Sequence, residues 1–122
     1  FDIDYFKKIN DIYGHSQGDL VLKGISNILK IRVSKKYIVS RYGGEEFLII
    51  IQNIEKNELM DLIEKIRKDI MRLELIEDRV ITSSFGIFYG DLREKSDLKN
   101  ALEEADEKLY KAKKMGRNRI ES

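Results

Sequence analysis

The chain of 122 residues contains no cysteine, no proline and no long apolar run. Without cysteine it has neither a disulfide framework nor a thiolate metal site. The absence of proline and of any low-complexity linker leaves no internal domain boundary, so this length predicts a single domain. No segment approaches the roughly 20 apolar residues that a membrane span needs. We therefore expect no membrane contact by this domain.

An excess of charge of either sign is also missing. Lys and Arg together number 23 and Asp and Glu 22, so the formal net charge is only +1. This balance argues against a broad non-specific surface for a nucleic-acid polymer. A chain without cysteine suits the reducing cytoplasm, and we expect a cytoplasmic domain, whether or not its parent protein is membrane-anchored.

What the chain does contain is a regular alternation of helical and strand-like spacing. The order includes β-α-β-β-α-β, which predicts an α+β fold with a ferredoxin-like core, a mostly antiparallel central sheet and flanking helices. Asp97 is the expected N-cap of the last helix and Gly116 its stop. The predicted elements are a strand end at 1–4, helices at 5–13, 19–33, 57–73 and 97–115, strands at 37–42, 46–52 and 80–89, and a short strand at 119–120.

The run Gly43-Gly44-Glu45-Glu46 lies between two predicted strands and forms the tip of a hairpin. Two glycines supply the positive φ angles of a tight two-residue turn. Two adjacent acids are poor strand formers and repel each other, so the pattern indicates a tip that holds a cation. The alternative is a surface hairpin that carries two harmless acids.

Asp2 and Asp4 stand at the end of the first predicted strand. In this topology the hairpin is the expected neighbour of that strand, so Asp2 and Glu45 could share one divalent cation. Mg²⁺ prefers oxygen ligands, uses one or two carboxylates and takes phosphate oxygens for the rest. The alternative is a solvated acidic strand end.

Lys113 and Arg117 are four residues apart at the end of the last predicted helix. One helical turn would place both cations on one side, where they suit phosphate oxygens. The alternative is that they simply complement the helix dipole.

Asn10 and Asp19 flank a glycine-containing loop. An amide together with a carboxylate fits the N1–H and N2–H₂ edge of guanine. The alternative is that Asn10 ends one helix while Asp19 caps the next.

Taken together, these residues resemble the GGDEF family of diguanylate cyclases. The matching stretches cover nearly the whole chain, in family order and at family spacing, and the hairpin is the Gly-Gly-Glu-Glu-Phe variant. They are Phe1–His15, Gly18-Asp19, Arg41–Phe47, Ser84–Ile87 and Ala105–Asn118.

The resemblance implies a palm-like nucleotidyl cyclase fold and a reaction. Two GTP become cyclic di-GMP and two pyrophosphates, with Mg²⁺ or Mn²⁺ as cofactor. Each domain holds one GTP, and a second copy of the domain faces it head to tail in a transient homodimer. In the parent protein an upstream sensory domain is the implied regulatory partner.

The resemblance also implies a role for individual residues. Asp2, the Ile3 carbonyl, Glu45 and Glu46 match metal ligands, and Glu45 also matches the acid that assists deprotonation of the 3′-hydroxyl. The positions that match substrate contacts are Asn10 and Asp19 for guanine, the backbone N–H groups of Tyr5, Phe6 and Lys7 for the β- and γ-phosphates, and Lys113 and Arg117 for phosphate oxygens.

The chain departs from the family pattern in two places. Many members carry an inhibitory product site, Arg-x-x-Asp, where this chain has Ser34-Lys35-Lys36-Tyr37, so we expect no feedback inhibition through that site. The family's N-terminal helix and the first part of the first strand have no counterpart before Phe1. Residues 1–122 are therefore expected to be a domain truncated at its N-terminus and poorly active alone.

Two other functions remain open on the sequence. One is a catalytically silent GGDEF module that binds GTP or cyclic di-GMP as a regulatory sensor. The other is a different palm-type nucleotidyl transferase or cyclase that shares the ferredoxin-like core.

Overall fold

The computed structural model describes residues 1–122 and contains five strands and four helices. None of the helices combines the length and apolar character that a membrane crossing requires. In chain order the elements are β1 (Asp2–Ile3), α1 (Phe6–Tyr13), α2 (His15–Arg32), β2 (Ile38–Arg41), β3 (Phe47–Ile50), α3 (Lys56–Met71), β4 (Ser83–Gly86), α4 (Lys95–Lys114) and β5 (Ile120–Glu121).

Strand β1 lies in the middle of the sheet. It pairs antiparallel with β4, with Asp2 opposite Ser84. On its other side an antiparallel bridge joins Asp2 to Glu46, just before β3, and the Phe47 N–H donates to the Phe1 carbonyl at 2.8 Å. The pair β2-β3 and the three strands β1-β4-β5, with β5 parallel to β4, are joined through this bridge, which gives the order β2-β3-β1-β4-β5. This arrangement confirms the predicted ferredoxin-like α+β core and the hairpin beside β1.

Apolar side chains at helical and strand spacing form one continuous core. Helix α2 packs on α3, and both contribute fully buried residues such as Ile25 and Ile66. Helix α4 lies so close to β4 that a side chain at Gly86 would overlap the α4 backbone at Ala105 and Leu109. The core thereby fixes β1 and the end of α4 relative to each other.

The hairpin turn differs from its prediction. Gly43 and Gly44 do not have positive φ, and the connection is a longer loop of residues 42–46 rather than a two-residue turn. The loop closes because the Tyr42 and Gly43 N–H groups both donate to the Glu46 carbonyl, at 2.8 and 3.3 Å. The exposed Arg41 guanidinium donates to the carbonyls of Gly43 and Gly44 at 2.8–3.2 Å.

Helix α2 begins at His15, four residues before its predicted start. A single residue, Gly14 with φ of 88°, separates it from α1, because glycine reaches this backbone conformation without steric cost. Asn10 therefore lies inside α1 and Asp19 inside α2. The alternative in which Asn10 ends one helix and Asp19 caps the next is therefore wrong.

The ends of α4 correct one prediction and bear out another. Glu94 is the N-cap, and Asp97 occupies the third helical position in a capping box. The Asp97 carboxylate accepts the N–H groups of Arg93 and Glu94, both at 2.9 Å, and these hydrogen bonds lower its pKa. Gly116, with φ of 117°, follows the last helical residues as predicted.

Candidate active site

Asp2 is a buried carboxylate with one free oxygen. Its side chain is 7% exposed, and one oxygen accepts from the Lys113 ammonium. The other oxygen, Oδ1, is buried and has no hydrogen-bond partner. A buried charge is costly unless it is paired and hydrogen-bonded, so this oxygen fits a further cation.

The hairpin acids lie directly beside Asp2. Glu46 is its bridge partner, and the Ile3 N–H donates to the Glu45 carbonyl at 3.2 Å. Both glutamates are partly buried, and neither forms an ion pair. No three acidic or histidine side chains of the chain gather closely enough to cage a metal. A site with few protein ligands suits Mg²⁺, which keeps places for water and phosphate oxygens.

Asp4, the other acid of the strand-end pair, is engaged elsewhere. It is 5% exposed and accepts hydrogen bonds from Thr82 Oγ1, Ser84 Oγ and the Asn118 N–H. A carboxylate surrounded by three donors has its acceptor capacity largely filled. Of the two strand-end acids, Asp2 is therefore the one open to a metal.

The N-terminus of α1 presents free backbone donors. Tyr5, its N-cap residue, has φ of 56°, and no side chain caps the helix. The N–H groups of Tyr5, Phe6 and Lys7 have no partner within the chain, and the first turn carries no acid. Such an end favours anions, because the donors and the positive end of the helix dipole point the same way.

Lys113 and Arg117 reach this region from two different backbone positions. Lys113 is in the last turn of α4, but the helix ends at Lys114, and Arg117 has φ of 63°. The expectation that one helical turn aligns them is therefore wrong. The Arg117 guanidinium instead stacks over the Tyr5 ring, 4.5 Å from its centroid. The two cations therefore contact different residues near the end of β1. Lys113 pairs with Asp2, and Arg117 stacks on Tyr5.

Asn10 and Asp19 are brought to neighbouring positions on α1 and α2. The Asn10 amide packs against Gly18, where any side chain would overlap its oxygen. That oxygen is buried without a partner, whereas Asp19, the next residue after Gly18, is exposed. An unpaired amide oxygen beside an exposed carboxylate is a fitting arrangement for a ligand that has several N–H donors.

The sequence reasoning named Gly18 and Tyr5 but missed a role of each. Gly18 provides the space for Asn10, and the ring of Tyr5 supports Arg117. A glycine within an amphipathic helix was a usable signal, because it often marks a close approach. The stacking of Tyr5 had no signal, since the two residues are 112 positions apart in the chain.

The fold and the strand-end acids together define a palm-like α+β domain of the nucleotidyl cyclase class. The family model described as "Diguanylate cyclase, GGDEF domain" matches residues 1–119. The chain belongs to the GGDEF family of diguanylate cyclases.

Individual relatives agree with this assignment. Diguanylate cyclase A of Treponema denticola is 38% identical over 98% of the chain, which spans 33% of that protein's length. The active GGEEF domain of a diguanylate cyclase from Vibrio cholerae superposes with a TM-score of 0.85 at 34% identity, covering 98% of this chain and 77% of that one. The GGDEF domain of DgcB from Caulobacter crescentus, in complex with c-di-GMP, has a TM-score of 0.85 at 30% identity, covering 98% and 72%.

Proposed function

We propose that this chain is the catalytic domain of a diguanylate cyclase, which joins two GTP into cyclic di-GMP and releases two pyrophosphates. One observation carries the proposal. Buried Asp2, with an oxygen that no protein donor reaches, lies at the same strand end as the hairpin acids and the free N–H groups of α1. Acids beside an anion site are what a metal-bound nucleoside triphosphate requires.

Asp2, the Ile3 carbonyl, Glu45 and Glu46 would hold Mg²⁺ or Mn²⁺. Because the three carboxylates do not form a closed cage, water and phosphate oxygens would complete the coordination. When bound, the metal neutralises phosphate charge and lowers the pKa of the attacking hydroxyl. The partly buried acids of the hairpin supply the negative charge that attracts the ion. Glu45 is the acid to which we assign the proton of the 3′-hydroxyl.

The triphosphate fits the N-terminus of α1. The N–H groups of Tyr5, Phe6 and Lys7 donate to β- and γ-phosphate oxygens there, as helix N-termini do for anions. Lys113 and Arg117 add positive charge from the end of α4, and Arg117 already lies over the Tyr5 ring at 4.5 Å. Their charge stabilises the leaving pyrophosphate.

Guanine fits between α1 and α2. The buried Asn10 oxygen and the Asp19 carboxylate accept from the N1–H and N2–H₂ groups of the base. Adenine lacks these donors and would leave the buried acceptor unpaired, which disfavours ATP.

The reaction needs two copies of the domain. The 3′-oxygen of each nucleotide attacks the α-phosphorus of the other, a new P–O bond forms, and the bond to pyrophosphate breaks. The candidate site is an open strand end, which suits a site that a second copy completes head to tail.

A large apolar groove of about 830 Å³ runs along β3, β4 and α4. None of the proposed site residues lines this groove, so the proposed reaction does not use it.

Product analysis tests this function. The parent protein that carries this domain is incubated with Mg²⁺ and either GTP or ATP, and the products are separated by chromatography. We expect cyclic di-GMP from GTP alone and none after Glu45→Gln, with the fold retained. Glu103→Gln, on the exposed face of α4, is the matched control.

The other outcomes separate the alternatives. GTP binding without any product would indicate a silent sensor module. A different cyclic or linear product would indicate another nucleotidyl transferase.

In the parent protein we propose an upstream sensory domain as partner, because the chain spans 33% and 26% of the length of two curated relatives.

A further inference from the structure

Asp4 is a buried carboxylate near the candidate site that the proposed reaction does not use. Its Oδ2 accepts from Thr82 Oγ1 at 2.7 Å and from the Asn118 N–H at 3.0 Å, and its Oδ1 accepts from Ser84 Oγ at 2.6 Å. Hydrogen bonds to a charged acceptor are stronger than neutral ones. Asp4 therefore joins β1, β4 and the segment after α4 at one point.

The segment that Asp4 holds has an unfavourable backbone. Gly116, Arg117 and Asn118 follow one another with φ of 117°, 63° and 47°. Residues with side chains persist in this region only where their surroundings determine it. Arg67 of α3 supplies a second contact, donating to the Asn118 side-chain oxygen at 2.6 Å and to its carbonyl at 3.3 Å.

The Asp4–Asn118 hydrogen bond joins the two segments that carry the proposed phosphate-binding groups. Asp4 immediately precedes Tyr5, which has φ of 56° and begins α1. Asn118 immediately follows Arg117, whose guanidinium stacks on the Tyr5 ring at 4.5 Å. Holding Asn118 at Asp4 thus fixes where Arg117 can reach.

We infer that Asp4 is a positioning residue. Without touching substrate, its carboxylate keeps Arg117 over Tyr5 and beside the N-terminus of α1, where the β- and γ-phosphates of GTP would lie. The inference rests on the proposed function, since Arg117 has phosphates to hold only if the chain binds GTP.

Comparing the binding of GTP and GMP tests this role. Calorimetry with Ca²⁺ as the divalent ion measures both affinities in the wild-type chain and in Asp4→Ala. We expect Asp4→Ala to weaken GTP about tenfold, because a charge-assisted contact is lost. GMP, which has no β- or γ-phosphate, should bind as it does to the wild type. Adding Arg117→Ala to Asp4→Ala should weaken GTP no more than Arg117→Ala alone.

Ser84→Ala is the matched control. It removes a donor from Oδ1 of the same carboxylate but leaves the Oδ2 contact with Asn118, so GTP affinity should stay at the wild-type value. Asp4→Asn keeps one acceptor oxygen for the Asn118 N–H and should restore most of the GTP affinity. If Asp4→Ala does not fold, Arg67→Met releases Asn118 from the other side and should also weaken GTP selectively.

Three results would overturn the inference. Equal weakening of GTP and GMP by Asp4→Ala would indicate a purely structural residue, as would additive effects of Asp4→Ala and Arg117→Ala. Unchanged GTP affinity in both Asp4→Ala and Arg67→Met would show that Arg117 needs no such support. Wild-type chain that binds neither nucleotide would instead refute the proposed function, and this role with it.

Discussion

At the scale of single residues, Lys113 is the partner that makes buried Asp2 tolerable in the nucleotide-free domain. Lys113→Met should lower the free energy of unfolding by about 1–3 kcal/mol, less than a fully buried pair because the lysine is 32% exposed. Urea unfolding at pH 7 measures this. Lys99→Met removes a more exposed ammonium, 79% exposed, and should change stability by less than about 0.5 kcal/mol. Equal effects of the two variants would contradict the prediction.

Gly18 makes a second prediction at this scale. In Gly18→Ala the new methyl group overlaps the Asn10 amide and must displace it. The Kd for GTP should therefore rise at least about tenfold, as expected when the acceptor for the base is misplaced. In the same helix, Gly24→Ala would meet only the flexible ends of Leu73 and Leu75, at 3.1 Å or more, and GTP should bind as before. Calorimetry measures the Kd for GTP of both variants, and equal values would contradict the prediction.

Some residues of the candidate site could be predicted from the sequence, and others could not. Asp2, Glu45 and Glu46 could be selected because adjacent acids at strand ends are unfavourable without a cation. The division of work between Asp2 and Asp4 could not be predicted, since it depends on Ser84 and Asn118, which are distant in the chain. The individual roles of the site residues remain predictions.

At the scale of elements, the hairpin loop depends on Arg41. Its guanidinium donates to both glycine carbonyls, a planar set of donors that a lysine ammonium does not reproduce. Arg41→Lys should loosen the loop that carries Glu45 and lower kcat for cyclic di-GMP several-fold, with little change in KM. Arg93→Lys, at an 84% exposed arginine, is the control for turnover assays. Unaltered kcat in Arg41→Lys would mean that the loop needs no such support.

Helix α3 carries a pair whose titration links stability to pH. The Arg67 guanidinium donates to both oxygens of Glu64 and holds the pKa of that carboxyl below its usual value of 4.5. Because the folded pKa is the lower one, the stabilisation is present above pH 4.5 and is lost as the pH falls through the folded pKa. Unfolding of wild type and Glu64→Gln between pH 3 and 7 should show a smaller acid-induced loss in the variant. Parallel pH curves would contradict this linkage.

Elements were the most predictable level of this molecule. Helical periodicity and the turn signals predicted the four helices and the order of elements along the chain, because each depends on local spacing. The place of the hairpin beside the first strand was predicted from the topology of the fold. The helix boundaries were less accurate where a single residue separates two helices. Gly14 alone separates α1 from α2, so α2 begins earlier than predicted. The prediction of a two-residue hairpin turn was wrong because the rule for Gly-Gly pairs takes no account of the hydrogen bonds from the Arg41 side chain.

At the scale of the whole molecule, we expect no feedback inhibition by cyclic di-GMP bound at the turn Ser34–Tyr37. The turn Ser34–Tyr37 between α2 and β2 carries two lysines but neither the arginine nor the aspartate of the inhibitory motif. Initial rates measured with added cyclic di-GMP should show only competition with GTP. A non-competitive component that disappears in Lys35→Ala, Lys36→Ala would show that this turn binds product after all.

The contact between Lys113 and Asp2 also affects the order in which ligands arrive. A bare divalent ion meets a carboxylate that already has an ammonium beside it, and the two cations repel each other. A nucleotide that brings its own ion offers the lysine a new anionic partner in exchange. The domain should therefore bind the ion mainly together with the nucleotide, so that the supply of the GTP complex sets its occupancy.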